Sequence, residues 1–460
     1  MCLEELGPTF IKFGQILSTR TDLLSQDILF ELKKLQDEVP PVAFEQIQKI
    51  LKAQYPQGAE SIFEWIESKP VGSASIAQVH RARLRSGASV VLKIQKPGIQ
   101  QTLSEDVEVL RFLAEALDTW VVDFKKYNLI GMVEEFAQTI QQEINFLLEA
   151  QNTQRFYENF KNRESIVVPR PYVELSGARV FVMEYIEGSS LNDFAASATL
   201  AQKKNLAERS LTAYVSMVFT DGLFHADLHS GNLLVVDGKH LALVDFGMVG
   251  RLSKRLQRGI INVFLSLSQE DYEKMAIEYI ELAAVYQSVD RDKLTEDLRK
   301  IFAPYNMGSG VSGANVAGLM MEAAAVAFKH DLKLPSELLL LFRSLLVLEG
   351  VAKSLCVDLD WLSFITKRAA ETQSPQDPLK MMGEFAMMTR EFSALTRTLP
   401  LELRSYWRKK NHPSYAEQVE IKNLDELVKA QIKSAKIIFF ALIVSSLIIS
   451  LTLILINQSV

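Results

Sequence analysis

Cysteine, basic charge and a secretory leader are all scarce or missing in this chain, and each shortage excludes a class of protein. The 460 residues contain only Cys2 and Cys356, so we expect no disulfide framework and a reducing compartment. The formal net charge is −6, and without a global basic excess nucleic acid is not expected as the main partner. The N-terminus is acidic and helix-like from residue 3, which does not match a cleavable signal sequence.

What is present is most informative in residues 225–247, which predict a β-hairpin. Two apolar runs of strand length, residues 233–236 and 241–244, are separated by a segment that contains Asp237 and Gly238. Asp-Gly is a strong turn signal because glycine tolerates the positive φ that tight hairpins need.

Three polar residues flank this hairpin. Asp227 and Asn232 are predicted on the loop that enters it, and Asp245 follows its exit. Because the ends of a hairpin lie side by side, we expect all three to converge, as in protein kinases, where an Asp acts in the catalytic loop and an Asn and the Asp of D-F-G hold Mg²⁺. An isolated D-F-G occurs by chance, but the full pattern favours a phosphoryl-transfer or nucleotide-binding site. His229 makes the motif H-x-D-x-H, a form seen in small-molecule and atypical kinases, which leaves the substrate open.

A cation for the phosphates is predicted upstream. Residues 89–95 are typical of a strand that contains Lys93. A lysine in an apolar strand is costly unless its ammonium meets an anion, and kinases pair this lysine with a glutamate on a helix. An edge-strand lysine that points to solvent is the alternative.

The glutamate is predicted on a helix over residues 141–156. Glu143 and Glu149 lie six residues apart, which rotates them by about 240° relative to one another, so we expect them to have different partners. Either could instead be an ordinary solvated carboxylate.

Glycine is sparse where a kinase keeps its phosphate loop. No G-x-G-x-x-G precedes Lys93; residues 71–80 read V-G-S-A-S-I-A-Q-V-H, and we expect a strand at 81–84. Alanine tolerates positive φ less well than glycine, so the loop is predicted to be less flexible and to hold a nucleotide differently. A small-residue turn that only packs would look the same.

Residues 6–20 have an amphipathic helical pattern with Pro8 in the first turn, and Lys12 and Gln15 share a face that could simply be solvated. This K-x-G-Q, the alanine-rich loop, Lys93, the glutamate helix, H-x-D-x-H-x-x-N and D-F-G occur in this order. Together they resemble the UbiB family of atypical kinases, also called the aarF-domain or ADCK family. The resemblance covers about residue 4 to about residue 360.

The resemblance implies an α+β, bilobal protein-kinase-like fold that binds ATP with Mg²⁺ and supports biosynthesis of isoprenoid quinones or related prenyl lipids. It also implies that the K-x-G-Q helix folds over the active site and blocks the usual protein-substrate groove. The resemblance further implies ATPase activity rather than phosphorylation of other proteins.

Residue roles follow by motif. Lys93 is expected to contact the phosphates with Glu149 as its partner. Lys12 and Gln15 are expected to reach into the site, with Glu143 as the partner of Lys12. The remaining roles are a catalytic aspartate, Asp227, two Mg²⁺ ligands, Asn232 and Asp245, and the nucleotide contacts Ala74, Ser75, Ala77, Glu184, Tyr185 and Ile186.

Two departures from the family pattern stand out. The usual E-x-D reads Glu143-Ile144-Asn145 here, so the second carboxylate is an amide, and we assign Asn145 no catalytic role. Family members also carry more sequence before K-x-G-Q than this chain does.

Residues 437–456 contain no charge over 20 positions, which is about 30 Å of helix, the thickness of a bilayer core. A buried core helix is the alternative. Lysines precede this segment, at 422, 429, 433 and 436, and no charged side chain follows it. The positive-inside rule therefore predicts a single-pass C-terminal anchor with the kinase-like body on the cytoplasmic (or stromal or matrix) side. The aromatic and basic residues 404–410 are expected to meet lipid headgroups.

The length exceeds one compact domain. We predict an N-terminal helical extension, an N-lobe with a helical insertion, a helical C-lobe, a linker with juxtamembrane helices and the anchor, at 1–60, 61–186, 187–365, 366–435 and 437–456. Apolar spacing predicts helices after D-F-G at 252–269, 270–285, 290–302, 316–329 and 335–355.

Three functions remain open from the sequence. The first is an ATP-hydrolysing atypical kinase whose turnover assists prenyl-lipid or quinone biosynthetic enzymes at the membrane. The second is an ATP-binding scaffold that recruits such enzymes without chemistry, and the third is a phosphotransferase that acts on a small lipid or alcohol. The intact Lys93, Asp227, Asn232 and Asp245 favour the first, because scaffolds usually lose one of these residues.

Overall fold

An antiparallel sheet forms the centre of the N-terminal lobe. Its strands are β1 Phe63–Ile66, β2 Gly72–Ser73, β3 Ala77–Leu84 and β4 Ser89–Gln95, with Val180–Glu184 from further along the chain. In this computed structural model the last of these pairs with β4, so that the strand carrying Lys93 lies in the middle of the sheet.

The structure describes residues 3, 6–17, 27, 31–32, 39–120, 129–228, 230–283, 289–305, 316–355, 357 and 364–365. All of them belong to one structural unit, Met1–Ser374. No helix among them is long and apolar enough to cross a membrane. The predicted anchor, the predicted linker and His229 lie outside the described residues.

Strand β3 begins earlier than the sequence predicts. We expected a loop over 71–80, but residues 77–80 are already paired with β4, and Gly72 and Ser73 pair back onto Val79 and Gln78. The loop therefore shrinks to residues 74–76. The strand extends because its alternation is already in place there, with Gln78 and His80 fully buried on one face.

The helices that the structure describes around this sheet are α1 Pro8–Leu17, α2 Phe44–Gln54, α3 Ile99–Trp120, α4 Leu129–Glu143 and α5 Phe146–Phe160. The predicted N-terminal helix is present, with Pro8 at its first position, where a missing N–H costs nothing. It is held by a hydrogen bond from the Thr9 hydroxyl to Asp106 of α3 and by an edge-to-face contact between Phe13 and Phe136 at 5.1 Å.

The predicted helix over 141–156 is wrong in one respect, because it is broken at Ile144 and Asn145. Asn145 has φ −94° and ψ 85° and caps α5 by accepting a hydrogen bond from the Leu148 amide. The carbonyl of Ile144 accepts a hydrogen bond from the buried amide of Gln95. These two hydrogen bonds between side chains and backbone take the place of backbone hydrogen bonds within a helix, and so α4 and α5 are separate helices.

The C-terminal lobe starts with short strands and continues as helices. The strands after β4 are β5 Ile166–Val167, β6 Val180–Glu184, β7 Ser189–Ser190, β8 Leu223–His225, β9 Leu233–Val236, β10 His240–Leu243 and β11 Val249–Arg251. Of these, β6 is the strand that pairs with β4 in the N-terminal sheet. The others form a sheet in the order β5-β10-β9-β7 and a separate β11-β8 pair.

The C-terminal helices are α6 Leu191–Ser197, α7 Leu200–Ser216, α8 Lys254–Ser268, α9 Tyr272–Leu282, α10 Arg291–Phe302, α11 Val316–Lys329 and α12 Ser336–Ser354. All five helices predicted after D-F-G are confirmed to within a few residues. Their apolar faces enclose one hydrophobic core that also contains Phe224 and Phe246, both fully buried. The predicted α+β kinase-like fold is thus present in the described residues.

Candidate active site

The predicted hairpin is confirmed as β9 and β10. Its turn is formed by residues 237–239, in which Asp237 and Gly238 have φ values of 53° and 62°, the positive φ that tight hairpin turns need. At the open end, the Val244 amide donates to the Asn232 carbonyl at 3.1 Å. The residue before the hairpin and the residue after it are therefore adjacent, as expected from the sequence.

Lys93 is the centre of a cluster of ionisable side chains that includes Asp245, which follows the hairpin. Its Nζ lies 2.8 and 2.9 Å from the two carboxylate oxygens of Glu149 and 2.8 Å from Oδ2 of Asp245. Glu149 is buried, whereas the Asp245 side chain is 35% exposed. The structure thus places the strand lysine, the helix glutamate and the D-F-G aspartate in direct contact.

The electrostatics of the three groups are coupled. Burial raises the pKa of Glu149 to about 7, against the opposing effect of the Lys93 charge. Burial also works against ionised Asp245, but Lys93 and the Gly247 amide outweigh it and lower the pKa of Asp245 well below its usual range. The two carboxylates in turn outweigh the burial of Lys93 and raise its pKa, so the ammonium stays charged.

A histidine joins the catalytic loop to D-F-G. The Asp227 amide donates to Nδ1 of His225 at 3.1 Å, and Nε2 of the same ring contacts the Asp245 carbonyl. Since Nδ1 accepts a hydrogen bond, the proton must be on Nε2, which donates to that carbonyl. His225 is fully buried, so this neutral ring fixes the backbone positions of both aspartates.

The site offers oxygen donors that suit Mg²⁺. Asn232 donates through Nδ2 to the Asp227 carbonyl at 3.1 Å, which leaves its amide oxygen as the acceptor for a cation. The described residues contain no cluster of three or more His, Cys, Asp or Glu side chains that could hold a metal. The amide oxygen of Asn232 and the carboxylate of Asp245 are the kind of donors that suit Mg²⁺, which beside nucleotides takes its other ligands from phosphates and water.

Helix α5 fixes D-F-G through a second residue. Asn152, one turn after Glu149, donates to the Phe246 carbonyl at 3.2 Å. The Phe246 ring is fully buried and packs against Phe156 of the same helix at 4.8 Å. Beyond D-F-G the chain enters β11 and then α8, capped by Ser253, so residues 248–253 are the whole connection.

Lys12 forms an ion pair with Glu143 at 2.7 Å, with 15% and 28% of the two side chains exposed. This is the pairing that the family resemblance implies, and it connects α1 to the end of α4. The side chain of Gln15 lies outside the described residues, so its expected reach into the site stays a prediction.

The expected nucleotide contacts lie at both ends of the sheet. In the loop, the Ala74 amide donates to the Ala77 carbonyl at 2.8 Å, and Ser75 is buried. In the hinge that follows β6, the Tyr185 amide donates to the Ser89 carbonyl at 3.1 Å.

Two hinge residues complete this set. The carboxylate of Glu184 accepts a hydrogen bond from the Arg170 amide at 3.1 Å. Ile186, the last predicted contact, follows in the same irregular segment. The adenine-binding role of both residues stays a prediction.

Sequence reasoning missed a buried polar connection on β3. Gln78 Oε1 accepts a hydrogen bond from the Val42 amide, and Gln78 Nε2 donates to His80 at 3.3 Å. His80 Nδ1 lies 2.8 Å from the Glu67 carbonyl, and burial lowers the pKa of this histidine. The spacing of two polar residues at alternate positions of a strand was the available signal.

Arg343 was also missed. One guanidinium nitrogen lies 3.8 Å from Oδ1 of Asp227. The signal was a lone arginine in an apolar helix, at residues 338–348 of α12.

Comparison with known proteins gives the same family as the sequence motifs. The model of the ABC1 atypical kinase-like domain matches residues 34–279, and the model of the UbiB helical domain matches residues 298–360. The chain belongs to the ABC1/UbiB family of atypical kinase-like proteins. The UbiB helical domain begins within α10 and extends past α12, so Arg343 is supplied by the family's own helical domain.

Several UbiB relatives are similar over most of the chain. The "Probable protein kinase UbiB" of Pseudomonas entomophila is 32% identical over 411 residues, which are 87% of this chain and 76% of the relative. The protein of the same name from Cellvibrio japonicus is 33% identical over 362 residues, or 78% of this chain and 65% of that relative.

A solved structure has a similar fold. The Rv3197–erythromycin complex from Mycobacterium tuberculosis matches with a TM-score of 0.53 at 20% identity, over 78% of this chain and 90% of that one.

Proposed function

We propose that this chain is a Mg²⁺-dependent atypical kinase that hydrolyses ATP. One observation carries the proposal: Lys93 holds both Glu149 and Asp245 within 2.9 Å, beside the hairpin that positions Asp227 and Asn232. Kinase-like proteins use this set of groups to orient and neutralise the phosphates of ATP.

Each residue has its own proposed task. Lys93, oriented by Glu149, contacts the phosphates. Asp245 and Asn232 hold Mg²⁺, which when bound neutralises the charge on the phosphoryl oxygens. Asp227 accepts a hydrogen bond from the attacking water and orients it towards the terminal phosphate.

The short connection after D-F-G supports water or a small molecule as the acceptor rather than a protein. Protein kinases carry an activation segment between D-F-G and A-P-E that includes their phosphorylation site. Here β11 follows Gly247 almost directly, and Ser253 already caps α8. The described residues 248–268 contain no such loop.

We further propose that ATP turnover supports isoprenoid-quinone or related prenyl-lipid biosynthesis at a membrane. The names of the UbiB relatives and the uncharged segment 437–456 support this. The expected partners are membrane lipids and the biosynthetic enzymes, and the expected location is a bilayer surface reached through a single C-terminal anchor.

The test is Mg²⁺-dependent ADP release by the full chain in detergent, compared with Asp245→Asn. Asp245→Asn removes a metal-binding charge and is expected to lower the rate at least about a hundredfold, because it removes electrostatic stabilisation that acts in the transition state. Equal and negligible rates for both proteins would favour the ATP-binding scaffold.

Two additions test the membrane and lipid links. Vesicle flotation of the full chain against a version ending at residue 430 is expected to show binding only for the full chain. A prenylated phenol is expected to stimulate ADP release, and phosphate transferred to its hydroxyl would instead identify a lipid phosphotransferase.

A further inference from the structure

Arg343 lies beside the catalytic-loop aspartate although it comes from the helical domain. Its Nη2 is 3.8 Å from Asp227 Oδ1, and the two side chains are 37% and 36% exposed. The pair therefore faces a space that a ligand can enter.

The backbone beneath Arg343 is fixed. The Tyr214 hydroxyl of α7 donates to the Leu341 carbonyl at 3.1 Å and contacts the hydroxyl of Ser344, which is fully buried. One turn of α12 is thus pinned to α7, and this turn directs Arg343 towards the catalytic loop.

Fold stability does not account for this arginine. Residues 338–348 read L-L-L-L-F-R-S-L-L-V-L, in which Arg343 is the only charge. An ion pair this exposed contributes little to stability. A charge on a fixed stretch of backbone that contributes little to the fold points to a ligand.

The catalytic loop itself supplies no Lys or Arg, because residues 225–232 read H-A-D-L-H-S-G-N. Lys93 is shared between Glu149 and Asp245. We propose that Arg343 contacts the terminal phosphate of bound ATP. A guanidinium offers forked donors that match phosphate oxygens, and when it moves to the phosphate it gives up its contact with Asp227 Oδ1.

This inference rests on the proposed nucleotide site and predicts discrimination between ATP and ADP, since only ATP carries the terminal phosphate. The experiment uses the full chain in detergent with Mg²⁺. Binding of ATP and of ADP is measured for wild type, Arg343→Met, Arg343→Lys and Arg343→Gln. Lys333→Met, which removes an exposed charge from the same helical domain, is the matched control.

We expect Arg343→Met and Arg343→Gln to weaken ATP binding about tenfold or more and ADP binding less than about twofold. The ATP affinity of Arg343→Lys is expected to lie between that of these two variants and that of wild type, because lysine keeps the charge but lacks the forked donors of the guanidinium. Lys333→Met is expected to behave as wild type. Thermal unfolding identifies any variant whose fold is damaged, and the remaining variants then decide.

An equal loss for ATP and ADP, or no loss for either, would overturn the proposal. Failure of the proposed hydrolysis can be told apart from failure of this inference. If the wild type binds ATP without cleaving it, its affinities for ATP and ADP can still be compared with those of the variants. A wild type that binds neither nucleotide would overturn both.

Discussion

Asn145 caps the helix that carries Glu149 and lies about one turn before it. The Asn145 side chain accepts a hydrogen bond from the Leu148 amide at 3.2 Å, and its carbonyl accepts one from the Glu149 amide at the same distance. The helix start is thereby fixed, and with it the direction in which Glu149 meets Lys93. The residue that interrupts the family's E-x-D pattern thus has a structural task that an aspartate would also perform.

Asn145→Asp is therefore expected to leave stability and ATP hydrolysis near wild type, because Asp and Asn are equally good helix N-caps. Asn145→Ala removes the cap and is expected to lower the free energy of unfolding by about 1 kcal/mol. Urea unfolding measures the stability of both variants, and ADP release measures their hydrolysis of ATP. A large change in hydrolysis for Asn145→Asp at unchanged stability would show that a carboxylate here acts on the chemistry.

Local patterns were enough to predict the centre of the site. The hairpin follows from two apolar runs around Asp237 and Gly238, and the strand of Lys93 follows from its apolar neighbours. The helices after D-F-G follow from apolar spacing alone. In each case the signal lies within about a dozen residues, and packing does not override it.

The parts that could not be predicted depend on distant residues. The helix break at Ile144 depends on Gln95, a distant residue of strand β4. The approach of Arg343 to Asp227 depends on how α12 packs on α7. Periodicity contains no information on such pairs, because each partner alone looks like an ordinary polar residue on its own element.

Gln78 is expected to hold the segment before α2 against the sheet. Gln78→Met keeps the volume but leaves the Val42 amide without its buried acceptor, which costs about 1–3 kcal/mol. Native-state hydrogen exchange should show faster exchange at the Val42 amide than in wild type. The control Gln46→Met alters an exposed side chain on α2. Unchanged protection of Val42 would mean that Gln78 only fills space.

In the absence of nucleotide and Mg²⁺, Glu149 is expected to make the free energy of unfolding depend on pH. Its pKa is raised by burial to about 7 from an ordinary value of 4.5. Between these values the folded state holds a proton that the unfolded state has released, so this contribution is complete below pH 4.5 and is lost as the pH rises through about 7. Asp245 adds no slope there, because its pKa is lowered well below this window.

The measurement compares urea unfolding of wild type and Glu149→Gln between about pH 4.5 and about pH 8. Wild type is expected to lose stability relative to the variant as the pH rises, by at most about 1.4 kcal/mol per pH unit, and then to level off. Parallel curves would mean that Glu149 is fully ionised throughout this range in the folded protein.

Lys12 and Glu143 are expected to act as a unit that holds α1 to α4. They lie 2.7 Å apart and both are partly buried, so each single change, Lys12→Met or Glu143→Gln, leaves a partly buried charge behind. The double variant should therefore be more stable than the sum of the single effects predicts, with a coupling of about 1 kcal/mol.

Urea unfolding of all four proteins measures this coupling. Lys49→Met, an exposed lysine of α2, replaces Lys12→Met in the control cycle and is expected to be additive with Glu143→Gln, because the two share no contact. Additive energies in the Lys12 cycle would show that the pair does not stabilise the K-x-G-Q helix. Its attachment to the lobe would then rest on its other contacts, among them the Thr9 hydrogen bond and the Phe13 ring contact.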